Sequence, residues 1–381
     1  METSELRARM IDQLKKGLAM SEVVERALRA VPREAFLPGT DLNQVYSGMV
    51  VPTKWDAAGT PTSSSSEVGV MAVMADQLDL AEGQRVLEIG SGTGYNAAML
   101  ASIVGEQGQV TTVEIDSDLA ESAREHLLRT GFERVEVRAA DGWFGWPDSA
   151  PYDRIELTAS TKDVSPSWVA QLSDDGRLLL PLRTLAGSQM LVAFRKSGVE
   201  LHSTSIRPGG FLPLRGSSLD ADEALTAGDY EFELASASAE TVRTTTDLLS
   251  SVPRVEIGPP IQWGTYSALA LSGRDTIALR KKRMMAVAVG VIDPSLPGIA
   301  VIEVAGSVAA GPLTLITTFG SAAVADRLRD RLASLASGAI RGPSLVAIPS
   351  NGTNPEGDIV IRRKNYTFVF TFAFRAVRSA S

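Results

Sequence analysis

A glycine-rich segment at residues 88–95 contains residue types that are well suited to bind a ligand through the backbone. It reads Glu-Ile-Gly-Ser-Gly-Thr-Gly-Tyr and lies between a run typical of a β-strand and a run typical of a helix. Glycine allows close approach of the backbone to a ligand, and the first turn of a helix offers unpaired N–H groups. Unless the glycines serve only to form a tight turn, the candidate binding residues are Glu88, Gly90, Ser91, Gly92, Gly94 and Tyr95.

Two acidic positions further along the chain narrow the choice of ligand. Glu114 ends the next strand-like run, about 20 residues downstream, where a carboxylate can accept hydrogen bonds from the hydroxyl pair of a ribose. Asp141 and Gly142 end the third such run. The segment lacks both the fuller G-x-G-x-x-G spacing and a P-loop lysine, so S-adenosylmethionine fits better than a dinucleotide or a nucleoside triphosphate.

The composition argues against several other kinds of site. The 381 residues include no cysteine and only two histidines, which leaves no thiolate nucleophile and few ligands for a metal or members of a Ser-His triad. Residues 217–381 hold equal numbers of acidic and basic side chains, so the net charge of −8 belongs to residues 1–216 and disfavours general nucleic-acid binding. The sequence shows neither a signal peptide nor an apolar run long enough to span a bilayer. We expect a soluble, cytoplasmic protein without a metal.

The candidate residues must be positioned by the strands and helices around them. From residue 84 to 215, apolar strand-like runs alternate with helical runs, which predicts a mostly parallel sheet covered on both faces. Later residues form a series of strand-like runs with an occasional helix, typical of an α+β domain. We predict an α/β, Rossmann-like core at 81–216, preceded by helices and a loop at 1–80. A C-terminal α+β accessory domain that contacts the substrate is predicted at 217–381.

Several segments resemble the protein-L-isoaspartate O-methyltransferase family. They are VLEIGSGTGYNAAMLA, VTTVEID, ADGWFGWPDSAPYDRIELTAS and GRLLLPL, with VPREAFLP upstream and GFLPLRG downstream. The segment VVPTKWDAAGTPTSSSS and the C-terminal residues further resemble the branch of this family that is associated with ribosomally made, modified peptides. That branch comprises the FxLD-type, lanthipeptide-, graspetide- and lasso-associated methyltransferases.

The resemblance implies S-adenosylmethionine as methyl donor and a peptide carboxylate as acceptor. Residues 88–94 match the loop over the methionine part, Glu114 matches the ribose-binding acid, and Asp141-Gly142 matches the pair on the adenine side. Ser66 matches the serine beside the acceptor carboxylate and is the expected catalytic residue. The alternative is a loop serine that caps the next helix, a position compatible with both roles. Further substrate-side candidates are Tyr46, Ser63, Ser64, Ser65 and Glu67.

This sequence departs from the family pattern on the acceptor side. Family members usually have Pro two positions after the serine, where this chain has Val68 following Glu67, and an upstream Tyr-x-Asp becomes Tyr46-Ser47-Gly48. Glu67 would repel an anionic acceptor unless it points away, or it is simply a first-turn acid favoured by the helix dipole. These departures therefore affect the predicted identity of the substrate rather than the prediction of methyl transfer.

Methyl transfer to a carboxylate needs few catalytic side chains. A carboxylate with a pKa of about 4 is already ionised at neutral pH and needs no general base. The enzyme must align oxygen, methyl and sulfur and exclude water, and such orientation supplies about 7–11 kcal/mol. The Ser66 hydroxyl could hold one carboxylate oxygen while the other faces the methyl group.

We therefore expect a carboxyl O-methyltransferase that methylates an Asp side chain of a ribosomally made precursor peptide, leading to a succinimide or isoAsp. General repair of protein isoAsp is the alternative, but the family's repair members are typically shorter, so the C-terminal residues favour a dedicated substrate. A non-catalytic, cofactor-binding peptide scaffold and small-molecule methyl transfer are further alternatives. The expected partner is a precursor peptide or a protein with Asp or isoAsp, and neither nucleic acid nor membrane is expected.

Two other features allow either a functional or a purely structural interpretation. The basic clusters Arg280-Lys281-Lys282-Arg283 and Arg362-Arg363-Lys364 either bind an acidic precursor or lie at solvated strand ends and turns. His126 is expected on the surface of its helix.

Overall fold

The computed structural model describes residues 2–184, 189–217, 225–235, 238–261, 263–271, 275–282, 287–305, 313–337, 340–350, 355, 357 and 359–374. Arg283, in the first basic cluster, lies outside the described residues.

Helices and a β-hairpin precede the main sheet. They are α1 (Thr3–Leu14), α2 (Glu22–Ala30), a 3-10 turn (Arg33–Phe36), α3 (Leu42–Val45), β1 (Val51–Trp55) and β2 (Pro61–Ser65). Ser21 caps helix α2, because its hydroxyl accepts the N–H of Val24, and the apolar Val24 and Leu28 on one side of the helix are buried. Residues 63–66, here named the serine run, lie largely in β2, which pairs antiparallel with β1 and so forms a hairpin.

The next elements form the predicted parallel sheet with its crossover helices. They are α4 (Val68–Leu78), β3 (Arg85–Ile89), α5 (Tyr95–Val104), β4 (Gln109–Glu114), α6 (Ser117–Arg129), β5 (Glu136–Ala139), β6 (Tyr152–Leu157), α7 (Pro166–Gln171) and β7 (Leu172–Arg183). The strands lie in the order β7-β6-β3-β4-β5, and all of them are parallel. From β3 the chain adds β4 and β5 on one side and then returns to add β6 and β7 on the other, so the order of strand addition reverses between β3 and β6. Ligands of open α/β sheets bind at the carboxyl ends of the strands beside such a reversal.

The remaining strands extend this sheet and form a second one. They and their helices are β8 (Gln189–Ser197), β9 (Glu200–Pro208), β10 (Leu225–Ala227), β11 (Tyr230–Leu234), α8 (Ala239–Leu249), β12 (Arg254–Ile257), α9 (Trp263–Ala270), β13 (Thr276–Lys281), β14 (Ala288–Asp293), β15 (Gly298–Ala305), β16 (Leu313–Gly320), α10 (Ala323–Ser337), β17 (Ile340–Pro349), β18 (Ile359–Arg362) and β19 (Tyr366–Phe374). The second sheet has the order β10-β11-β13-β14-β15-β16-β12, and all its pairs are antiparallel.

Strands β17–β19 belong to the main sheet, although they follow the second sheet in the chain. β17 pairs antiparallel with β9, where Ala347 lies opposite Leu201, and the full order is β18-β19-β17-β9-β8-β7-β6-β3-β4-β5. Phe368 and Phe370 of β19 share an apolar cluster with Trp168 of α7. The fold is therefore α/β and Rossmann-like with an additional C-terminal region rich in strands, as predicted. The predicted boundary after residue 216 does not divide the two sheets, because β17–β19 return to the main sheet. The accessory role of residues 217–381 stays a prediction.

Two apolar clusters cover the two faces of the main sheet. Residues from α1, α2, α4, α5 and α6 pack against one face. Residues from α7 and from the C-terminal strands pack against the other. Among the described residues, neither cluster covers the carboxyl ends of the parallel strands, and the polar candidate residues lie at this edge of the sheet.

Candidate functional site

The glycine-rich segment forms the loop between β3 and α5 at the carboxyl edge of the main sheet. Gly90 has φ of 104°, and a Cβ at this position would overlap the hydroxyl of Thr158, so only glycine fits here. Helix α5 begins directly after Gly94, so its first N–H groups open toward the loop.

The carboxylate of Glu114 lies directly against this loop. Its Oε2 accepts a hydrogen bond from the N–H of Gly92 at 3.0 Å, and its Oε1 accepts one from the N–H of Asp116 at 3.2 Å. Glu114 ends β4, and the parallel pairing of β4 with β3 brings it beside the loop. Its position supports the predicted contact with a ribose.

Asp141 lies at the same edge, just after β5. Its Oδ1 accepts the N–H of Trp143 at 2.9 Å and opens the 3-10 turn Gly142–Phe144. The carbonyl of Gly142 accepts a hydrogen bond of 2.9 Å from Trp168 Nε1, which fixes the turn. The structure thus brings the loop, Glu114 and Asp141 together at one edge.

These residues fit the predicted cofactor by the chemistry of their donors and acceptors. S-adenosylmethionine presents a ribose diol and an adenine amino group, which donate hydrogen bonds, and the edge offers the carboxylates of Glu114 and Asp141. The loop offers backbone N–H groups at the start of α5 for the carboxylate of its methionine part. The assignment of each contact stays a prediction.

Glu88 lies beneath the loop, where it is fully buried. Its carboxylate accepts hydrogen bonds from the hydroxyl of Thr112 and from Asn96 Nδ2 at 2.8 Å. Asn96 Nδ2 also donates to Glu156, 2.9 Å away on the neighbouring β6. The Thr112 hydroxyl in turn contacts the Ser91 hydroxyl at 2.7 Å, so this buried network reaches the loop. Glu88 therefore supports the loop from below.

Burial changes the acidity of both carboxyl groups in this network. It raises the pKa of Glu88 to about 8 and the pKa of Glu156 to about 7, because the charged form loses its hydration. Sequence reasoning misses Asn96, Thr112 and Glu156. Only Glu156 could have been noticed from the sequence, as a carboxylate within the apolar run of β6. Strands of parallel sheets are usually buried on both faces, so a carboxylate there needs a buried partner.

The side chains of the serine run alternate between the two faces of β2, and Ser66 follows the end of the strand. Successive side chains of a strand point to opposite sides, and here Ser63 and Ser65 are buried whereas Ser64 and Ser66 are half-buried. Ser63 accepts a hydrogen bond of 3.2 Å from β1, and Ser65 accepts one of 3.4 Å from Arg33. The hydroxyls of Ser64 and Ser66 make no hydrogen bond within the described residues. Both are therefore available to a ligand.

The hairpin that carries the serine run contacts the glycine-rich loop. A Cβ at Gly92 would lie 3.5 Å from the carbonyl oxygen of Ser64 and 3.8 Å from the Ser63 hydroxyl. The acceptor-side candidates and the cofactor-side candidates consequently form one region.

A buried arginine, Arg33, holds the end of the serine run in place. Its guanidinium donates hydrogen bonds to the carbonyl oxygens of Val45 at 3.2 Å, Met49 at 3.0 Å and Ser66 at 2.9 Å. The planar group can serve several carbonyls at once, and it lies 5.8 Å from the ring centroid of Tyr95. Arg33 is a further residue of the site that sequence reasoning misses.

Glu67 follows Ser66 at the start of α4 and is half-buried. It occupies the N-cap position without a side-chain cap hydrogen bond, and Ser66 does not cap the helix either. Burial raises the pKa of the Glu67 carboxyl, and the nearby charge of Arg33 opposes this in part. Glu67 is thus a poorly hydrated carboxyl group beside the expected catalytic serine.

Tyr46 and Tyr95 lie in the core rather than on an open surface. The Tyr46 hydroxyl donates to Glu34 and accepts a hydrogen bond of 3.4 Å from Arg7. The Tyr95 ring packs edge-on against Phe36 at 5.7 Å, and its hydroxyl has no partner among the described residues. Both side chains are buried, and the predicted contacts of Tyr46 with substrate and of Tyr95 with cofactor stay predictions.

His126 is buried, so its predicted surface position is wrong. Its Nδ1 donates a hydrogen bond of 2.9 Å to the carbonyl of Thr93, in the glycine-rich loop. Ala120, Ala123 and His126 recur at a spacing of three on the buried side of α6.

The basic clusters lie at strand ends and turns. Arg280 pairs across strands with Glu231, at 2.9 Å from its Nε. Arg362 ends β18, and the N–H of Arg363 donates to the carbonyl of Tyr366 at 3.0 Å. Binding of an acidic peptide by either cluster stays a prediction.

Known proteins resemble this chain over its first half. The family model described as "Protein-L-isoaspartate(D-aspartate) O-methyltransferase (PCMT)" matches residues 5–218. Protein-L-isoaspartate O-methyltransferase 2 of Archaeoglobus fulgidus is 35% identical over 216 residues, which are 57% of this chain and 95% of that protein. Protein-L-isoaspartate O-methyltransferase of Methanothermobacter thermautotrophicus is 38% identical over 212 residues, 55% of this chain and 95% of that protein.

One solved structure extends the likeness in fold beyond that half. It is named protein-L-isoaspartate O-methyltransferase, and it covers 89% of this chain and 96% of its own at a TM-score of 0.52 and 24% identity. None of the helices in the described ranges has the length and apolar character that a membrane crossing requires. The chain belongs to the protein-L-isoaspartate O-methyltransferase family and shares its α/β fold, its methyl donor S-adenosylmethionine and its carboxyl O-methyl transfer.

Proposed function

We propose that this chain methylates the carboxylate of an isoaspartyl residue in a peptide or protein, with Ser66 as the residue that contacts the acceptor. The observation that carries the proposal is the Ser66 hydroxyl, which is free of partners among the described residues. Its backbone is held by the buried Arg33, and its hairpin adjoins the glycine-rich loop.

The residues of the chain have a limited task in this reaction. Bound S-adenosylmethionine supplies a methyl group on a cationic sulfur. The acceptor carboxylate is ionised at neutral pH, so the protein needs to bind it, orient it and exclude water, but not to deprotonate it. The Ser66 hydroxyl would donate to one carboxylate oxygen and leave the other free. Because Arg33 fixes the Ser66 carbonyl, the hydroxyl starts from a defined position.

Modification of an ordinary Asp in a ribosomally made peptide, leading to a succinimide or isoAsp, is the second candidate. Glu67 favours it, because a half-buried carboxyl group beside Ser66 alters the acceptor position relative to the family pattern. Glu67 repels an anionic acceptor when ionised and can donate a hydrogen bond to it when protonated. The C-terminal strands do not decide the matter, since a solved structure named for the isoaspartate enzyme covers 89% of this chain.

A labelling experiment separates the candidates. Purified protein is incubated with methyl-labelled S-adenosylmethionine and one of three acceptors: an isoAsp peptide, the same peptide with Asp, or an Asp-containing precursor peptide encoded by a neighbouring gene. We expect label on the isoAsp peptide. Label on the Asp-containing precursor alone would establish the second candidate. Cofactor binding by calorimetry without label on any acceptor would favour a non-catalytic scaffold, and absence of cofactor binding would exclude all these functions.

A further inference from the structure

Residues 211–217, here named the strap, cross the carboxyl edge of the main sheet. At one end, Ser160 after β6 donates its N–H to the carbonyl of Leu212 and accepts the N–H of Leu214, both at 2.8 Å. At the other end, the N–H of Ser217 donates to Asp141 Oδ2, after β5, at 2.7 Å. Since β3 and β4 lie between β6 and β5, the strap passes the ends of the strands that carry the loop and Glu114.

Arg215 lies between these two attachments and pairs with the end of β4. Its Nη2 is 2.7 Å from Asp116 Oδ2 and 3.9 Å from Glu114 Oε1. The next residue, Gly216, has φ of 96°, and a Cβ there would lie only 2.6 Å from Asp141 Oδ2. A residue with a side chain would strain this turn, so the strap is built to fit closely against the edge.

Lys54 of the hairpin also forms an ion pair with Asp116. Its Nζ lies 3.2 Å from Asp116 Oδ2 and 2.8 Å from Asp118 Oδ2. Lys54 belongs to β1, the hairpin partner of the strand that carries the serine run. One oxygen of Asp116 is thus shared by a cation of the hairpin and a cation of the strap.

We propose that Asp116 is a positioning residue that fastens the hairpin to the strap across the cofactor site, so that rupture of its two ion pairs limits release of the bound cofactor. The inference rests on the proposed cofactor site of the loop, Glu114 and Asp141. Half-exposed ion pairs contribute little to stability individually, which suits contacts that must open in each catalytic cycle. Asp116 remains ionised for this role, because Arg215 and then Lys54 hold its pKa low against the effect of burial.

The rate at which S-adenosylhomocysteine is released, measured by stopped-flow displacement, tests the proposal. The variants are Asp116→Asn, Lys54→Met and Arg215→Met. Arg195→Met is the matched control, since Arg195 forms a surface pair of 3.4 Å with Asp175 on β7. We expect Asp116→Asn to speed release about tenfold, each cation variant to speed it less, and the control to match the wild type. Added salt should speed release from the wild type more than from Asp116→Asn, because the variant has lost the two ion pairs of Asp116 that screening would weaken.

Two ligands of different charge distinguish fastening of the hairpin to the strap from electrostatic attraction between Asp116 and the ligand. S-adenosylmethionine carries a net positive charge and S-adenosylhomocysteine does not. Faster release of both ligands from Asp116→Asn supports the proposal. Faster release of S-adenosylmethionine alone would mean that Asp116 merely attracts a cation, and unchanged release of both would also overturn the proposal. A wild-type protein that binds neither ligand would instead contradict the cofactor site and, with it, the proposed function.

Hydrogen exchange of the ligand-free protein gives a second measurement. The amides of Leu212 and of residues 214–217 should exchange faster in Asp116→Asn than in the wild type, while those of α5 stay unchanged. Equal exchange in the strap would show that Asp116 does not fasten it.

Discussion

The guanidinium of Arg33 donates a hydrogen bond of 2.9 Å to the carbonyl oxygen of Ser66. The two residues belong to different parts of the N-terminal region, a 3-10 turn after α2 and the end of the serine hairpin. Arg33 is fully buried, so it positions the acceptor-side serine without being able to touch an acceptor.

Replacement of Arg33 by Met should leave the carbonyls of Val45, Met49 and Ser66 without this donor. We expect the free energy of unfolding to fall by about 2–4 kcal/mol and the KM for the peptide to rise, while the affinity for S-adenosylhomocysteine changes little. Urea denaturation, steady-state kinetics and calorimetry measure the three quantities. Arg26→Met is the control, because the Arg26 side chain is 69% exposed. A wild-type KM in Arg33→Met would refute the positioning role.

Replacement of Ser66 by Ala should reduce methyl transfer and spare cofactor binding. A hydrogen bond to a charged acceptor is worth about 1.5–3 kcal/mol, so kcat/KM should fall roughly 10–100-fold. Initial rates with a labelled methyl donor measure the loss, and Ser250→Ala, at an exposed helix end, serves as the control. An unchanged rate would remove Ser66 from the reaction.

Replacement of Glu114 by Gln should weaken cofactor binding. The carboxylate has two oxygens that accept the N–H groups of Gly92 and Asp116, whereas the amide has one oxygen and an opposed NH₂ group. We expect the Kd for S-adenosylhomocysteine to rise roughly 10–100-fold in calorimetry. The exposed Glu125→Gln provides the control. If both variants bind like the wild type, Glu114 does not hold the ligand.

Replacement of Glu156 by Gln should flatten the dependence of stability on pH. Burial raises the pKa of Glu156 from about 4.3 in the unfolded chain to about 7. The folded protein therefore retains a proton that the unfolded chain releases, and the stability that this proton provides is complete below pH 4.3 and is lost as the pH rises toward 7. Glu88 acts with the same sign up to about pH 8.

Glutamine at position 156 still accepts the hydrogen bond from Asn96 but does not titrate. Between pH 5 and pH 8, the variant should lose roughly 1–3 kcal/mol less stability than the wild type. Urea denaturation at several pH values measures this difference, and the exposed Glu106→Gln should follow the wild type. Parallel curves for Glu156→Gln and the wild type would contradict the raised pKa.

Replacement of Asp163 by Ala should loosen the C-terminal strands. Asp163 lies after β6 and accepts the N–H groups of Asn365 at 2.7 Å and Tyr366 at 3.0 Å, in the turn that leads into β19. Loss of these acceptors should lower the free energy of unfolding by about 1–3 kcal/mol and speed proteolytic cleavage near residue 365. Mass spectrometry of the fragments locates the cleavage. The exposed Asp174→Ala should behave like the wild type.

The core and the cofactor edge can be predicted from local sequence patterns. Each parallel strand is an apolar run followed by a loop, and the rule that such sheets bind ligands at their carboxyl ends predicts that Gly90, Glu114 and Asp141 meet. Asn96 and Glu156 escape this reasoning, because their contacts depend on which strands become neighbours.

The serine run shows why the acceptor side is harder to predict. Four identical residues carry no alternation of apolar and polar types, so the sequence does not indicate that Ser64 and Ser66 share one face and Ser63 and Ser65 the other. Contacts between distant residues are equally invisible to local patterns. Arg215 and Asp116, for example, are separated by 99 positions.

The pairing of β17 with β9 has a consequence for how the protein is made. Leu345 donates its N–H to the hydroxyl of Ser203, 142 positions earlier in the chain. At about 5–20 residues per second, a ribosome needs about 7–28 s to synthesise the intervening residues. During that time β9 is an open edge of a sheet whose catalytic strands are already present, and open edges tend to pair with other chains. The nascent enzyme therefore carries β9 as an unpaired edge until its own later strands arrive, and a fragment cut after residue 216 would leave that edge unpaired.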